Sequence, residues 1–529
     1  MSTAHNISVT GQAAENLGPQ QKFSIALGML GLLILVLAFL NVSFQPKIVW
    51  LSVSLTLIFT GIVWYTKASY ANKLAGIKNN HIFFNSLTNR GIWAYALGIL
   101  ITGFYVVLYF YPSYLGLVNN GENTGIVALF DPFSKLLSGN PASQWFVYGT
   151  LYTIAILGFG IKFLWKYRNN NYQRLRTFSV MFFQLGFAFL IPEFMARLNG
   201  EKFSLPYYNL VNIWPLNYYN FEQYRVDDFI SAGTIGVSLL IFGIASIFII
   251  TPILTYKYGK RWYCSWVCGC GGLAETAGDS FRHLSNKSTS AWKLERWMIH
   301  LVTVFVVIMT TAVISTYLGY DAEKYWLTKD VFLIGVGLVL TIVVGLTFIF
   351  KRHEFKKDAK YAGIGFFLII LALIGLHFSG NTQQFAFVEA ETLRSSYGFL
   401  IGSIFSGVVG TGFYPIFGNR VWCRFGCPMA AILGFQQRLF SKFRITTNGG
   451  QCISCGNCST YCEMGIDVRA YAQKGENIVR SSCVGCGICA SVCPRGVLKL
   501  ENDSPQGRIN SKEILLGNDV DLMNYVNKN

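Results

Sequence analysis

The chain has 529 residues, 52% hydrophobic, 16% aromatic and only 13% charged, with a mean hydropathy of +0.41. An ordinary soluble domain carries about 25% charged residues, so these values exclude a disordered chain, a nucleic-acid-binding domain and a disulfide-stapled secreted module. They leave an integral membrane protein, in which a formal charge of +17 marks cytoplasmic loops rather than affinity for nucleic acid.

A spanning helix needs about 20 largely apolar residues. Ten stretches qualify in chain order: 23–42, 48–66, 91–111, 145–165, 177–195, 230–255, 297–317, 331–350, 361–378 and 397–417. The fifth runs into Pro192 and Glu193, and the ninth is short. Residues 1–22 read as an N-terminal tail, and a single Lys before Phe23 argues against a cleavable signal.

Loop charge sets the orientation. The loops 67–90, 166–176, 256–296 and 351–360 hold 20 Lys and Arg. The alternate loops, 43–47, 112–144, 196–229, 318–330 and 379–396, hold 8. The basic set is expected in the cytoplasm, with both termini, in a multi-pass protein of the bacterial inner membrane. The run Lys351-Arg352-His353 is a positive-inside loop that would also suit an acidic ferredoxin. Outer loops are aromatic, with Tyr207, Tyr208, Trp214, Tyr218 and Tyr219. These read first as an interfacial belt and second as a docking or quinone-entry surface.

The expected fold is thus an all-α polytopic membrane protein of about ten transmembrane helices, followed by a small α+β two-cluster ferredoxin domain. Residues 23–229 form a five-span unit without an assigned role. Residues 230–440 carry two Cys-x3-Cys motifs, and 441–529 form the cytoplasmic ferredoxin domain.

The thirteen cysteines carry the chemistry. None precedes Cys264, and eight lie between Cys452 and Cys493. Cys452, Cys455, Cys458 and Cys462 follow C-x2-C-x2-C-x3-C, and so do Cys483, Cys486, Cys489 and Cys493, the last followed by Pro494. In this pattern the fourth cysteine serves the other cluster. One [4Fe-4S] cluster is therefore assigned to Cys452, Cys455, Cys458 and Cys493. The second takes Cys483, Cys486, Cys489 and Cys462. Gly456, Gly485 and Gly487 would let backbone amides approach the sulfurs. Paired zinc knuckles also use C-x2-C, but the third cysteine of each triplet and the duplication argue against them. One departure is Glu463, where Pro usually follows the fourth cysteine.

Two further motifs follow the sixth and tenth spans: Cys264-Ser265-Trp266-Val267-Cys268 and Cys423-Arg424-Phe425-Gly426-Cys427. They read as an internal repeat offset by 159 residues. On a helix, positions i and i+4 share a face, so each motif would offer two sulfurs to one side. Two such pairs could hold a third cluster, a copper or zinc ion, or redox-active dithiols. The bland alternative is inert buried cysteine. Cys270 is a fifth candidate ligand or a bystander.

With these motifs in place, residues 230–495 resemble the NapH/NosR/CcoG group of membrane polyferredoxins, which join spans, two C-x3-C-P motifs and a C-terminal two-cluster ferredoxin. The resemblance implies electron relay between the quinone pool or cytoplasmic donors and respiratory or copper-maturation systems. It gives Cys264, Cys268, Cys423, Cys427 and the eight ferredoxin cysteines that role. The chain departs from the group at Gly269, which stands where Pro follows Cys268, and it lacks a flavin-attachment motif and a flavin domain.

Other features are weaker. A transmembrane haem needs two facing histidines, and His300 and His377 are expected at opposite membrane faces. Glu193 and Arg197 at the outer end of the fifth span, and His377 at that of the ninth, are candidates for a quinone site or else interfacial charges. The chain has no P-loop, dinucleotide fingerprint or HExxH. The expected function is a membrane-bound iron–sulfur electron relay working with a redox protein partner or quinone, as a subunit of a larger respiratory complex. The alternatives are a copper-handling assembly factor and a redox-sensing membrane scaffold.

Overall fold

The structure is a computed structural model describing residues 17–71, 90–119, 121–199, 205–321, 323–351, 353, 355, 357–380, 385–448, 451–502, 515–516 and 520–521. Most of the N-terminal tail, the basic loop 72–89, parts of the 351–360 run and most of 503–529 lie outside the described residues.

Among the described residues, nine helices are long and apolar enough to cross a membrane: Pro19–Phe39, Lys47–Tyr70, Ile92–Phe110, Gln144–Lys166, Asn171–Leu198, Gly233–Tyr258, Thr289–Tyr320, Lys329–Lys351 and Lys360–Phe378. They coincide with the first nine predicted spans. The tenth differs. The chain is helical over 390–409 but begins with Glu391 and Arg394, and it unwinds before the one-turn helix Tyr414–Phe417. Gly398, Gly402, Gly407, Gly410 and Gly412 make this a weak helix former. Its Gly398–Val409 stretch takes the wide π form, a rare geometry.

One helix escaped the apolar count. Gly125–Ser138, within the predicted outer loop 112–144, buries Ile126, Val127, Leu129 and Phe130 against the first spans. At 14 residues, with Asp131 and Pro132 inside, it is too short and too polar to read as a span.

After Phe440 the chain makes a small α+β unit. Strand β1, Arg444–Thr447, pairs antiparallel with β2, Leu498–Glu501, and the helices Asn457–Thr460, Val468–Lys474 and Ile488–Ser491 lie between them. This unit does not hang on a tether. Every cysteine except Cys455 belongs to or packs on one continuous hydrophobic core, shared with Tyr263, Val306, Met309, Trp422 and Leu433 of the membrane part.

Candidate functional site

The two membrane motifs have the same local build. Each opens at a glycine held at positive φ with extended ψ: Gly259 (φ 68°, ψ −179°) and Gly418 (φ 95°, ψ 170°). Only glycine is comfortable there. A Cβ on Gly418 would also stand 2.8 Å from the Ser285 backbone N. A short turn then carries Cys264 or Cys423. Cys268 and Cys427 follow in extended conformation, as N-caps of the helices Gly269–Thr276 and Pro428–Phe440. This corrects the expected single helix face. The cysteines of each pair do not share one helix, because a helix cannot run through a residue at ψ 125° or 110°.

All four thiols are buried, and they influence one another. Burial pushes Cys264 up to about 12, opposed by Lys260, with the charges of Cys268 and Cys423 adding to the rise. Burial also raises Cys427, with Cys423, Cys264 and Cys268 contributing. The two pairs belong to the same buried core. Cys270 is only half-buried. A thiol–thiol hydrogen bond links it to Cys268, holding Cys268 down and pushing Cys270 up.

In the tail, Cys452, Cys455, Cys458 and Cys493 line one small cavity together with Gly456 and Pro494. This is the set assigned from the spacing rule, with Cys493 crossing over from the second motif. Burial pushes Cys458 up to about 12, and the charges of Cys493, Cys455 and Cys452 add to it. Burial likewise raises Cys489, with Cys486, Cys483 and Cys462 next in effect. Metal ligation requires these thiols as thiolates, so binding a cluster would release their protons. Among the described residues, no three His, Cys, Asp or Glu side chains stand close enough to hold a single metal ion. A four-iron cluster, in which each thiolate takes its own iron, needs a wider ring.

Glu463, the departure from the ferredoxin pattern, is fully buried. It pairs with Arg420 at 3.1 Å and Arg282 at 3.0 Å, and accepts from Asn419 at 3.1 Å. Arg420 in turn pairs with Glu275 at 2.5 Å, donates to the Cys264 carbonyl at 3.3 Å and reaches the Cys423 sulfur at 3.5 Å. Arg176 pairs with Glu275, Arg282 with Asp279 at 3.0 Å, and Lys166 with Asp279 at 2.5 Å. Burial alone would raise the Glu463 carboxyl, but Arg420, Arg282 and Arg176 outweigh it and hold it below its ordinary value. One chain of buried charges thus ties the tail, both membrane motifs and the first five spans together. Sequence reasoning noticed Glu463 only as an irregularity, because its partners lie up to about 180 residues away.

The five-span unit also grips the tail directly. Tyr172 Oη donates to Gly485 O at 2.8 Å, Gln173 Nε2 to Cys486 O at 2.8 Å and Asn170 Nδ2 to Ser491 Oγ at 2.9 Å. A Cβ on Gly487 would stand 2.8 Å from the Tyr172 ring, so this glycine admits the neighbouring unit. At Gly269, where Pro was expected, a Cβ would stand 2.6 Å from Gln184 Oε1, so the five-span unit packs close there too.

The other candidates separate. Glu193 lines a large cavity with Tyr207, Tyr218 and Tyr219, and Tyr207 is also exposed on the outside. Arg197 instead donates to Lys135 O and Leu136 O, closing the helix Gly125–Ser138. His377 lies apart, 3.6 Å from Asp330.

Comparison with known proteins agrees with the cysteine geometry. Residues 451–498 match a 4Fe-4S dicluster domain, and residues 239–288 and 397–446 each match a 4Fe-4S binding domain. The chain carries iron–sulfur domains. The double match to one domain type is the internal repeat read from the two Cys-x3-Cys motifs. The chain is also 24% identical over 209 residues to the "Putative electron transport protein YccM" of Escherichia coli (strain K12), a stretch covering 40% of this chain and 43% of that protein. No solved structure matches the chain.

Proposed function

We propose that this chain is a membrane-bound iron–sulfur electron carrier of the NapH/NosR/CcoG type, passing electrons between a cytoplasmic donor or the quinone pool and a respiratory or outer-side acceptor. The observation that carries this reading is the shared core. Twelve of the thirteen cysteines belong to it or pack on it, which supports a short path between the tail and the membrane thiols. The likeness to a protein named for electron transport supports it.

Cys452, Cys455, Cys458 and Cys493 would hold one cluster, and Cys483, Cys486, Cys489 and Cys462 the other. Cys264, Cys268, Cys423 and Cys427 would hold a third. Such clusters supply one-electron storage, while the protein fixes their positions, charge surroundings and exposure. Arg420 places a fixed positive charge beside Cys423, which favours the more negative, reduced form of a cluster there. Burial keeps water from the sulfurs. With the basic loops in the cytoplasm, the tail faces cytoplasmic donors.

Anaerobic purification with iron counting and a redox titration tests this. The tail alone accounts for about 8 Fe, and more iron with a separate signal is expected from the membrane site. Changing both Cys264 and Cys423 to Ser should remove that signal and spare the others. A protein holding zinc in place of iron would refute the proposal. Copper that is lost in the double substitution would favour the assembly-factor reading.

A further inference from the structure

A cavity of about 890 Å3 opens where the membrane helices Asn171–Leu198 and Gly233–Tyr258 meet the ferredoxin unit. Its size lies within the roughly 300–1,000 Å3 of small-molecule sites. Phe183 of the first helix and Leu254 of the second give it apolar walls, and Trp262 and Trp266 add two indole rings. The ferredoxin unit closes it from the other side with Ala490 and with Lys499 and Glu501 of strand β2.

Two features decide what the cavity suits. The first is charge, with Arg261 and Lys499 on its lining against the single carboxylate of Glu501. Arg261 is held in position. Its guanidinium carbon lies 4.7 Å from the Phe443 ring centre and 5.6 Å from that of Tyr172, and its Nε donates to Tyr258 O at 3.1 Å. Among the described residues, its terminal nitrogens and Lys499 Nζ have no hydrogen-bond acceptor. The second feature is continuity with the membrane surface. Phe178 and Phe182 on one helix, and Ile249 and Ile253 on the other, are each more than half exposed. The apolar walls therefore border faces that a spanning helix turns to lipid, which a water-soluble anion does not need.

We infer that this cavity holds one membrane phospholipid, with its phosphodiester against Arg261 and Lys499 and an acyl chain along Leu254 and Phe183. Basic pockets between membrane helices recognise phospholipid headgroups. Indole rings favour the level at which headgroups meet acyl chains. Such a lipid touches both helices and the ferredoxin unit at once. Ala490 directly follows Cys489, so the lipid would brace the loop that carries this cysteine against the membrane. The inference does not depend on the direction or the partners of the electron relay.

Native mass spectrometry tests it, on the full-length protein delipidated in detergent and titrated with dioleoylphosphatidylglycerol. One saturable adduct per chain is expected. Dioleoylglycerol, which lacks the phosphate, should bind at least about tenfold more weakly. Glycerol phosphate, which lacks the chains, should not displace the lipid. Arg261→Gln and Lys499→Gln should each weaken the adduct about fivefold, as expected for one cation at an anionic lipid. Arg261 also packs against Phe443 and Tyr172, so Lys499→Gln, at an exposed side chain, is the variant that spares the docking of the ferredoxin unit. Lys474→Gln, exposed outside the cavity, is the control and should leave the affinity unchanged. Equal binding of dioleoylglycerol, no saturable adduct, or an adduct indifferent to both cavity variants would overturn the inference. Displacement by glycerol phosphate would assign the cavity to a soluble phosphate compound and overturn it as well. Failure of the relay reading shows separately, as protein without iron or without a redox-active signal.

Discussion

Changing Glu463 to Gln is the sharpest test of the buried charge chain. The substitution keeps shape and removes charge. Two unit charges about 4 Å apart at an effective dielectric of about 20 attract by about 4 kcal/mol. Glu463 makes two such contacts, with Arg420 and Arg282, both arginines being 1% exposed or less. Glu275 and Asp279 remain to each arginine, so the net loss should fall near the 3–5 kcal/mol typical of a broken buried pair. That corresponds to roughly a hundred- to a few-thousand-fold rise in opening of the docked tail. Amide hydrogen exchange in the helices Asn457–Thr460, Val468–Lys474 and Ile488–Ser491, on the full chain in detergent, reads this directly. Glu391→Gln is the control, because that carboxylate is 69% exposed in its pair with Arg394 and should cost no more than about 1 kcal/mol. Tail exchange in the Glu463→Gln protein within about threefold of the unaltered chain would refute the reasoning.

Three further outcomes are expected. Cys493→Ser should deplete iron from the Cys452, Cys455 and Cys458 set and spare the set adjacent in sequence, as Mössbauer or paramagnetic resonance spectra would show. Gly418→Ala forces a side chain into a glycine-only conformation against the Ser285 backbone; thermal unfolding should show a loss of about 1–3 kcal/mol. The third concerns pH. Burial would raise Asp279, but Lys166, Arg282 and Lys162 pull its carboxyl down from 3.8 to about 2. A depressed carboxylate stabilises the fold above its unfolded value, and that contribution disappears as pH falls from about 4 to 2. It should reach roughly 2 kcal/mol at neutral pH. Asp279→Asn should therefore be less stable than the unaltered protein at pH 7, and the two should converge near pH 2; a gap that stays constant with pH would count against the pairing.

The sequence by itself determined the elements whose signal is local. Apolar runs set the nine membrane-length helices among the described residues, because a spanning helix satisfies its backbone within itself. The cysteine spacing set the ferredoxin unit, which matches a 4Fe-4S dicluster domain over residues 451–498, because the C-x2-C-x2-C-x3-C pattern is a local signal. The repeat of the Cys-x3-Cys motif was legible for the same reason. What the tertiary structure decided depends on distant partners. The Cys-x3-Cys motifs proved to be broken by extended caps, since Gly259 and Gly418 at positive φ and the caps at Cys268 and Cys427 are backbone states that residue spacing does not encode. Glu463 looked like an irregularity until Arg420 and Arg282 were placed against it. The helix Gly125–Ser138 and the tyrosine-lined cavity emerged only from packing, because a short amphipathic helix or an inward-facing aromatic has no apolar run to announce it. The first five spans, silent in the sequence, form one wall of that cavity and hold the ferredoxin unit against the membrane thiols.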